Sequence, residues 1–331
     1  MRREYAPLRN LQDRLLPSKA SESAMSIFRN RRMAFAAALA FVSGCGGHDA
    51  APAAGADPAA PDASPAMPHC PVAVRKDLAG PDIVGLKLGM TLPEALGTAR
   101  CALGGDARVK PENQWLDHLD TYGVELGTQS FAVKKGESHP CNYQKEWQSC
   151  DGAIKWERVD EIVTVATPGA PGHEKAVAVW RVRNFRDGQM PPVQTIVDAL
   201  VAKYGPPQRT QDSDQPNGYT AGYRELEWIQ DRRGAPLADP NPLYRQCLGA
   251  VHAYGEQTDV QWKDGCGLNV WARISLSGKN PGLALEFDSA MVQQSDLYAH
   301  AEATQNALRQ LGQARREAEV KNAQAGSDVH L

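Results

Sequence analysis

The sequence has no C-x-x-C pair, no excess of positive charge and none of the short motifs that carry the commonest catalytic chemistries. Without G-x-S-x-G, G-x-x-x-x-G-K-[ST] or H-E-x-x-H there is no nucleophile elbow, phosphate loop or zinc-protease helix to build on. Ser277-Gly278-Lys279-Asn280 lacks the upstream glycine and the hydroxyl of a phosphate loop. Asp212 to Gly218 has carboxylates at alternate positions, as a calcium loop does, but Pro216 stands at its fifth place and no glutamate at its twelfth. The eight histidines are scattered, and His173 beside Glu174 reads as an exposed pair in a Gly-Pro loop. No metal, no cofactor and no catalytic residue are expected, and the chain does not read as an enzyme.

The apolar run Met33 to Val42 (MAFAAALAFV) is well short of the ~20 residues that a membrane-spanning helix needs. Its length suits a signal peptide, and Arg29, Arg31 and Arg32 supply the positive segment in front of it. Val42-Ser43-Gly44-Cys45 then resembles a bacterial lipobox, with small residues ahead of a single cysteine. The resemblance implies that Cys45 becomes the lipidated first residue. Gly46, in place of an aspartate, implies sorting to the outer membrane of a Gram-negative cell, facing the periplasm. Residues 25–45 are therefore expected to form the signal peptide, and residues 1–24 to precede the true start at Met25.

Removing residues 1–45 takes away eight basic and three acidic residues from totals of 36 and 39. The remaining 28 against 36 give a net charge of −8, which argues against nucleic-acid partners and against attraction to an anionic bilayer. Arg181, Arg183 and Arg186 read as a solvated strand face within this acidic chain.

Residues 46–69 (GGHDAAPAAGADPAAPDASPAMPH) offer almost nothing large to bury, so a disordered tether is expected. Its prolines favour extended chain at ~3.1 Å per residue, a reach of at most about 75 Å.

Six cysteines follow the tether: Cys70, Cys101, Cys141, Cys150, Cys247 and Cys266. In an oxidising compartment an even number reads as disulfides, with roughly 15 pairings open. Proximity favours Cys141 with Cys150 and Cys247 with Cys266, which leaves Cys70 with Cys101.

Two helices and a series of strands are expected between residues 70 and 290. Ile83 to Met90 reads as an extended segment and turn, and Thr91-Leu92-Pro93-Glu94 matches a capping box, so a helix should run from Leu92 to about Arg100. Val193, Ile196, Val197, Leu200, Val201 and Tyr204 share one helical face, and Gly205-Pro206-Pro207 ends that helix with a left-handed cap. Between and after these helices the period becomes two. Strands are expected over 155–167, 176–185, 223–230, 248–254, 268–276 and 283–288, with Trp156, Trp180, Trp228 and Trp271 in the core. No helical pattern recurs between strands after 220, so the fold class is α+β with antiparallel sheets and few helices. The order helix-then-strands occurs twice, which suggests two related halves, 70–190 and 191–290. Residues 291–331 read as a surface helix and tail, with Leu297, Ala301, Thr304, Leu308 and Leu311 as its apolar stripe.

LKLGMTLPEAL (Leu86 to Leu96) resembles the start of the BamE/SmpA-type outer-membrane lipoproteins, in which such a turn launches a helix onto a small antiparallel sheet. The resemblance covers about a dozen residues. It implies that fold module and, more distantly, a part in outer-membrane protein assembly. The matched residues Gly89, Met90, Thr91 and Glu94 read as turn and cap, as does Gly205. The KYGPP helix end is also similar to that of proteobacterial exported proteins, which implies no activity. Two functions are expected from all of this. The first is a non-catalytic, lipid-anchored binding or envelope-assembly module with an envelope protein as partner. The second is a proteinaceous inhibitor of a periplasmic or invading hydrolase such as a lysozyme, a task suited to small preorganised domains.

Overall fold

The computed structural model describes residues 75, 77–112, 119–216, 220–254 and 257–326. The signal peptide, Cys45, the tether and Cys70 lie outside them. The described chain is α+β, built on one antiparallel sheet of eight strands.

The first half opens with α1 (Leu92–Leu103) and continues through β1 (Arg108–Glu112), β2 (Ser130–Pro140), β3 (Ile154–Ala166) and β4 (Ala178–Asn184). The second opens with α3 (Val193–Tyr204) and continues through β5 (Arg209–Ser213), β6 (Thr220–Asp231), β9 (Cys266–Ser277) and β10 (Ala284–Gln293). A short helix α2 (Tyr143–Glu146) and a 3₁₀ turn (Trp147–Ser149) interrupt the first half between β2 and β3. Helix α4 (Pro242–Cys247) and the hairpin of β7 (Val251–Tyr254) and β8 (Gln257–Val260) interrupt the second between β6 and β9. The final helix α5 covers Gln294–Gly326. The sheet order β1-β2-β3-β4-β10-β9-β6-β5 makes each half a four-stranded meander, the two joined through the last strand of each. That seam pairs Asn184 with Glu286 through to Ala178 with Val292.

Each half is therefore one helix followed by four strands. Both helices have 12 residues, and both leading strands have five. The halves do not have separate cores. One apolar cluster contains Phe131, Val163 and Val179 from the first and Trp228, Val270, Ile274 and Met291 from the second, covered by Ala95, Ala99 and Leu103 of α1 and Leu200 of α3. Alternation puts Ala132, Ile162, Trp180, Val182, Ala290 and Trp271 on the opposite face, where Val251 and Ala253 of β7 and Leu297 of α5 cover part of them.

The helix starts and ends follow from their residues. Thr91 donates from both its N–H and its hydroxyl to Glu94 Oε2, each at 2.9 Å, which satisfies an orphan donor at the start of α1. Those hydrogen bonds also hold the Glu94 carboxyl below its usual range. Just before them Gly89, at φ +87°, lets its N–H reach Ala176 O at 2.7 Å, while Met90 O accepts from Ala176 N at 2.8 Å. Met90 is thereby placed in the core, 1 % exposed.

Several expectations need correction. Gly205 has φ +79° but ψ −172°, so the chain leaves α3 extended and not through a left-handed cap. Its N–H still bonds Val201 O at 2.9 Å, and its carbonyl accepts from Trp228 Nε1 at 2.8 Å. Val201 lies at the margin of the apolar face of α3 and is exposed. Trp180, Trp228 and Trp271 are buried, but Trp156 is only half-buried and donates to Asp151. Leu297, Ala301, Thr304 and Leu308 are buried as expected, whereas Leu311 points outward, because Gly312 takes the inward place against Tyr122.

Candidate binding surface

The two interruptions occupy equivalent places, between the second and third strands of each meander, and each is closed by a disulfide. Cys141 pairs with Cys150 and Cys247 with Cys266. Cys101 is disulfide-bonded as well, and Cys70, the partner expected for it, lies outside the described residues. β2 runs toward its loop in the direction opposite to that in which β6 runs toward its own, so the two excursions leave from opposite ends of the sheet. Both turn onto the face away from α1 and α3.

The first excursion, CNYQKEWQSC, is held in several ways besides its disulfide. Asn142 caps α2 by accepting from Gln144 N at 3.2 Å. Cys141 N donates to Ala153 O at 2.9 Å, and the Tyr143 hydroxyl donates to Gly152 O. Lys155 Nζ meets Glu146 Oε1 at 2.8 Å. At the foot of the loop Asp151 receives Lys110 at 3.0 Å, Lys134 at 3.2 Å and Trp156 Nε1 at 3.2 Å. Asp151 is held below the ordinary carboxylate range even though burial opposes this, because those donors outweigh it. On this braced loop Tyr143 is 57 % and Trp147 66 % exposed. Large aromatic groups held rigidly in water are the residue type that anchors interfaces.

The second excursion is fixed from beneath by Glu227, 1 % exposed. It accepts from Gly249 N at 2.7 Å and Asn269 Nδ2 at 2.9 Å, and Arg209 stands 3.3 Å away. His252 and Tyr254 of β7 then pack on Trp271, with ring centres 5.0 and 5.4 Å apart.

Between the excursions lies a polar patch. The register sets Asp288 opposite Arg273 and Arg273 opposite Glu225, with Glu286 and Tyr223 on either side of Ser275. The Arg273 guanidinium stands 3.9 Å from the centre of the Tyr223 ring and 5.4 Å from that of Tyr254, in cation–π geometry. Asp288 is 2 % exposed and its Oδ1 has no hydrogen-bond partner. Burial, helped by the neighbouring Glu286 charge, pushes its carboxyl up to about 9, so it is neutral at pH 7. Burial raises Glu286 too. Such a patch can orient a partner and exclude water. Its most perturbed acid is too deep for a substrate atom to reach.

The other residues singled out in the sequence do not gather at this surface. Gly89, Met90, Thr91, Glu94 and Gly205 stand at the ends of α1 and α3, where they set chain direction. Arg181 and Arg186 are neutralised, Arg181 by Glu161 at 2.6 Å and Arg186 by Asp160 at 2.5 Å, while Arg183 is exposed over the Phe185 ring. Asp212 and Asp214 both turn to Arg224, at 3.7 and 2.7 Å, which occupies the carboxylates that a calcium ion would need. Lys279 pairs with Asp187 at 2.7 Å, and His173 is exposed. Among the described residues no group of three His, Cys, Asp or Glu side chains could hold a metal ion, and no helix is long and apolar enough to cross a membrane.

Tyr143, Trp147, Arg273, Glu286 and Asp288 were not legible as site residues. Asp288 looks like the polar residue of a half-exposed strand, and its burial comes from the tertiary fold and not from its own neighbours in sequence. A Trp and a Tyr between two close cysteines were the one available signal for the loop. No known protein family, curated protein or solved structure matches the chain.

Proposed function

We propose that the protein is a lipid-anchored, periplasm-facing binding or envelope-assembly module that works without catalysis. The observation that carries this reading is the pair of disulfide-closed excursions placed equivalently in two meanders and turned onto the same sheet face. Preorganised projections around a polar patch suit recognition, since little entropy is lost when they dock. The buried, neutral Asp288 and the absence of a catalytic motif in the sequence favour binding over turnover. The lipobox-like Val42-Ser43-Gly44-Cys45 and the Ala/Pro tract after it support a tethered body that reaches across the periplasm.

Two measurements test this. Cys45→Ala should release the protein from the membrane fraction and abolish fatty-acid labelling, and unchanged fractionation would remove the anchor. Affinity capture from crosslinked envelopes, comparing the tethered protein with Cys45→Ser, should yield a reproducible envelope partner that depends on the anchor. Dose-dependent loss of muramidase activity with no resident partner would replace assembly with inhibition.

A further inference from the structure

We infer that the Cys141–Cys150 loop is the docking knob of this module, and that Trp147 inserts into an apolar, carboxylate-rimmed cleft on a protein partner. The inference rests on the binding reading above and names the contact it would use.

Shape comes first. The loop is convex and short, and four independent ties fix it: the disulfide, the Asn142 cap, the Tyr143 hydroxyl on Gly152 O, and the Lys155–Glu146 pair. A convex rigid element needs a concave counterpart. Trp147, 66 % exposed, makes no ring contact with another described residue, and Tyr143 stands four positions away on the same short helical segment. Burying a tryptophan on binding without having to order its loop first is the arrangement of an interface anchor.

Charge gives the partner's chemistry. The loop's own acids are already answered, Glu146 by Lys155 and Asp151 by Lys110 and Lys134. Lys145 at the exposed tip and Arg108 on the adjoining β1 have no acidic partner among the described residues. The knob is thus locally positive on a chain whose folded part is acidic. It would be steered toward carboxylates.

The test uses the full, tethered chain in its own envelope, with a photo-crosslinking amino acid at Gln148, beside Trp147, and control probes at Asn280 and Tyr254. The expected result is a protein adduct from position 148 and none from 280. The crosslinked partner segment should carry Asp or Glu beside apolar residues. Trp147→Ala in the same background should cut adduct yield about tenfold or more, with Trp147→Phe restoring part of it. Raising salt from about 0.05 to about 0.5 M should weaken the adduct severalfold. Because Trp147 is exposed, the Ala variant should melt as the parent does, which separates docking from folding. An adduct from 148 that is indifferent to Trp147→Ala overturns the inference, as does one that glycan digestion dissolves. A protein adduct from 254 with none from 148 also overturns it, yet leaves the binding reading standing. No adduct from either position takes both down.

Discussion

Asp288 is the residue whose environment departs furthest from what its type prefers. Burial and the neighbouring Glu286 keep its proton on up to about pH 9, whereas in the unfolded chain it ionises near the usual carboxylate value of about 3.9. Between those values the native state holds a proton that the unfolded state has released, so this group erodes stability as pH rises through that window and has no further effect above it. Carboxyls held low, such as Asp151 and Asp160, act in the opposite sense, and their contribution disappears as pH falls below the ordinary range. Asp288→Asn should therefore raise the melting temperature at pH 8, leave it nearly unchanged at pH 4, and flatten the profile between. Each pH unit of the window is worth at most ~1.4 kcal/mol. Thermal unfolding of both proteins across pH 4 to 9 would check this, and equal curves would show that Asp288 ionises freely.

Among the elements, α5 is the one whose packing turns on a single glycine. A Cβ at Gly312 would lie 2.5 Å from Tyr122 Cβ and 2.8 Å from Tyr122 O. The loop there is already committed, with Tyr122 at φ +50° and Gly123 at +75°. Replacing an exposed helical glycine by alanine normally adds up to ~1 kcal/mol of helix stability. Here Gly312→Ala should instead cost about 1–3 kcal/mol, as overpacked sites do. Limited proteolysis near Tyr122 should also accelerate. Local signals made α1 and α3 readable: a capping box in one, and in the other a stripe that ends at Gly205. Most of the longer strands, β2 excepted, were equally readable through their alternation. β1 and β5 were missed because RVKPE and RTQDS are short and polar. Their strand character comes from pairing with β2 and β6, not from their own residues. β2 was missed for a different reason, since Lys134 to Pro140 breaks the apolar pattern with charges and two register shifts.

At the largest scale, the described residues form two meanders that share one core. Tyr204 donates to Asp82 O at 2.9 Å and Lys203 meets Asp82 at 3.0 Å, so α3 is tied to the segment that leads into α1. The common apolar cluster and the β4–β10 seam cross the same boundary. Urea unfolding should accordingly be a single transition, with the same midpoint whether followed by tryptophan fluorescence or by far-ultraviolet dichroism. Two separated steps would mean that the halves are independent domains. The duplicated order of elements was visible in the sequence. The shared core was not, because it depends on which strand of each half meets the other.

The same seam decides what is left at the outside. Each half gives its last strand to the middle and its five-residue leading strand to a margin, and the two margins lie about 34 Å apart across the sheet at ~4.8 Å per strand. A neighbouring molecule that tried to extend the sheet would find only a five-residue template, and on one side Pro111 withholds an N–H from it. Crowded side by side, these molecules have no long ladder to climb, and the sheet stops growing at eight strands.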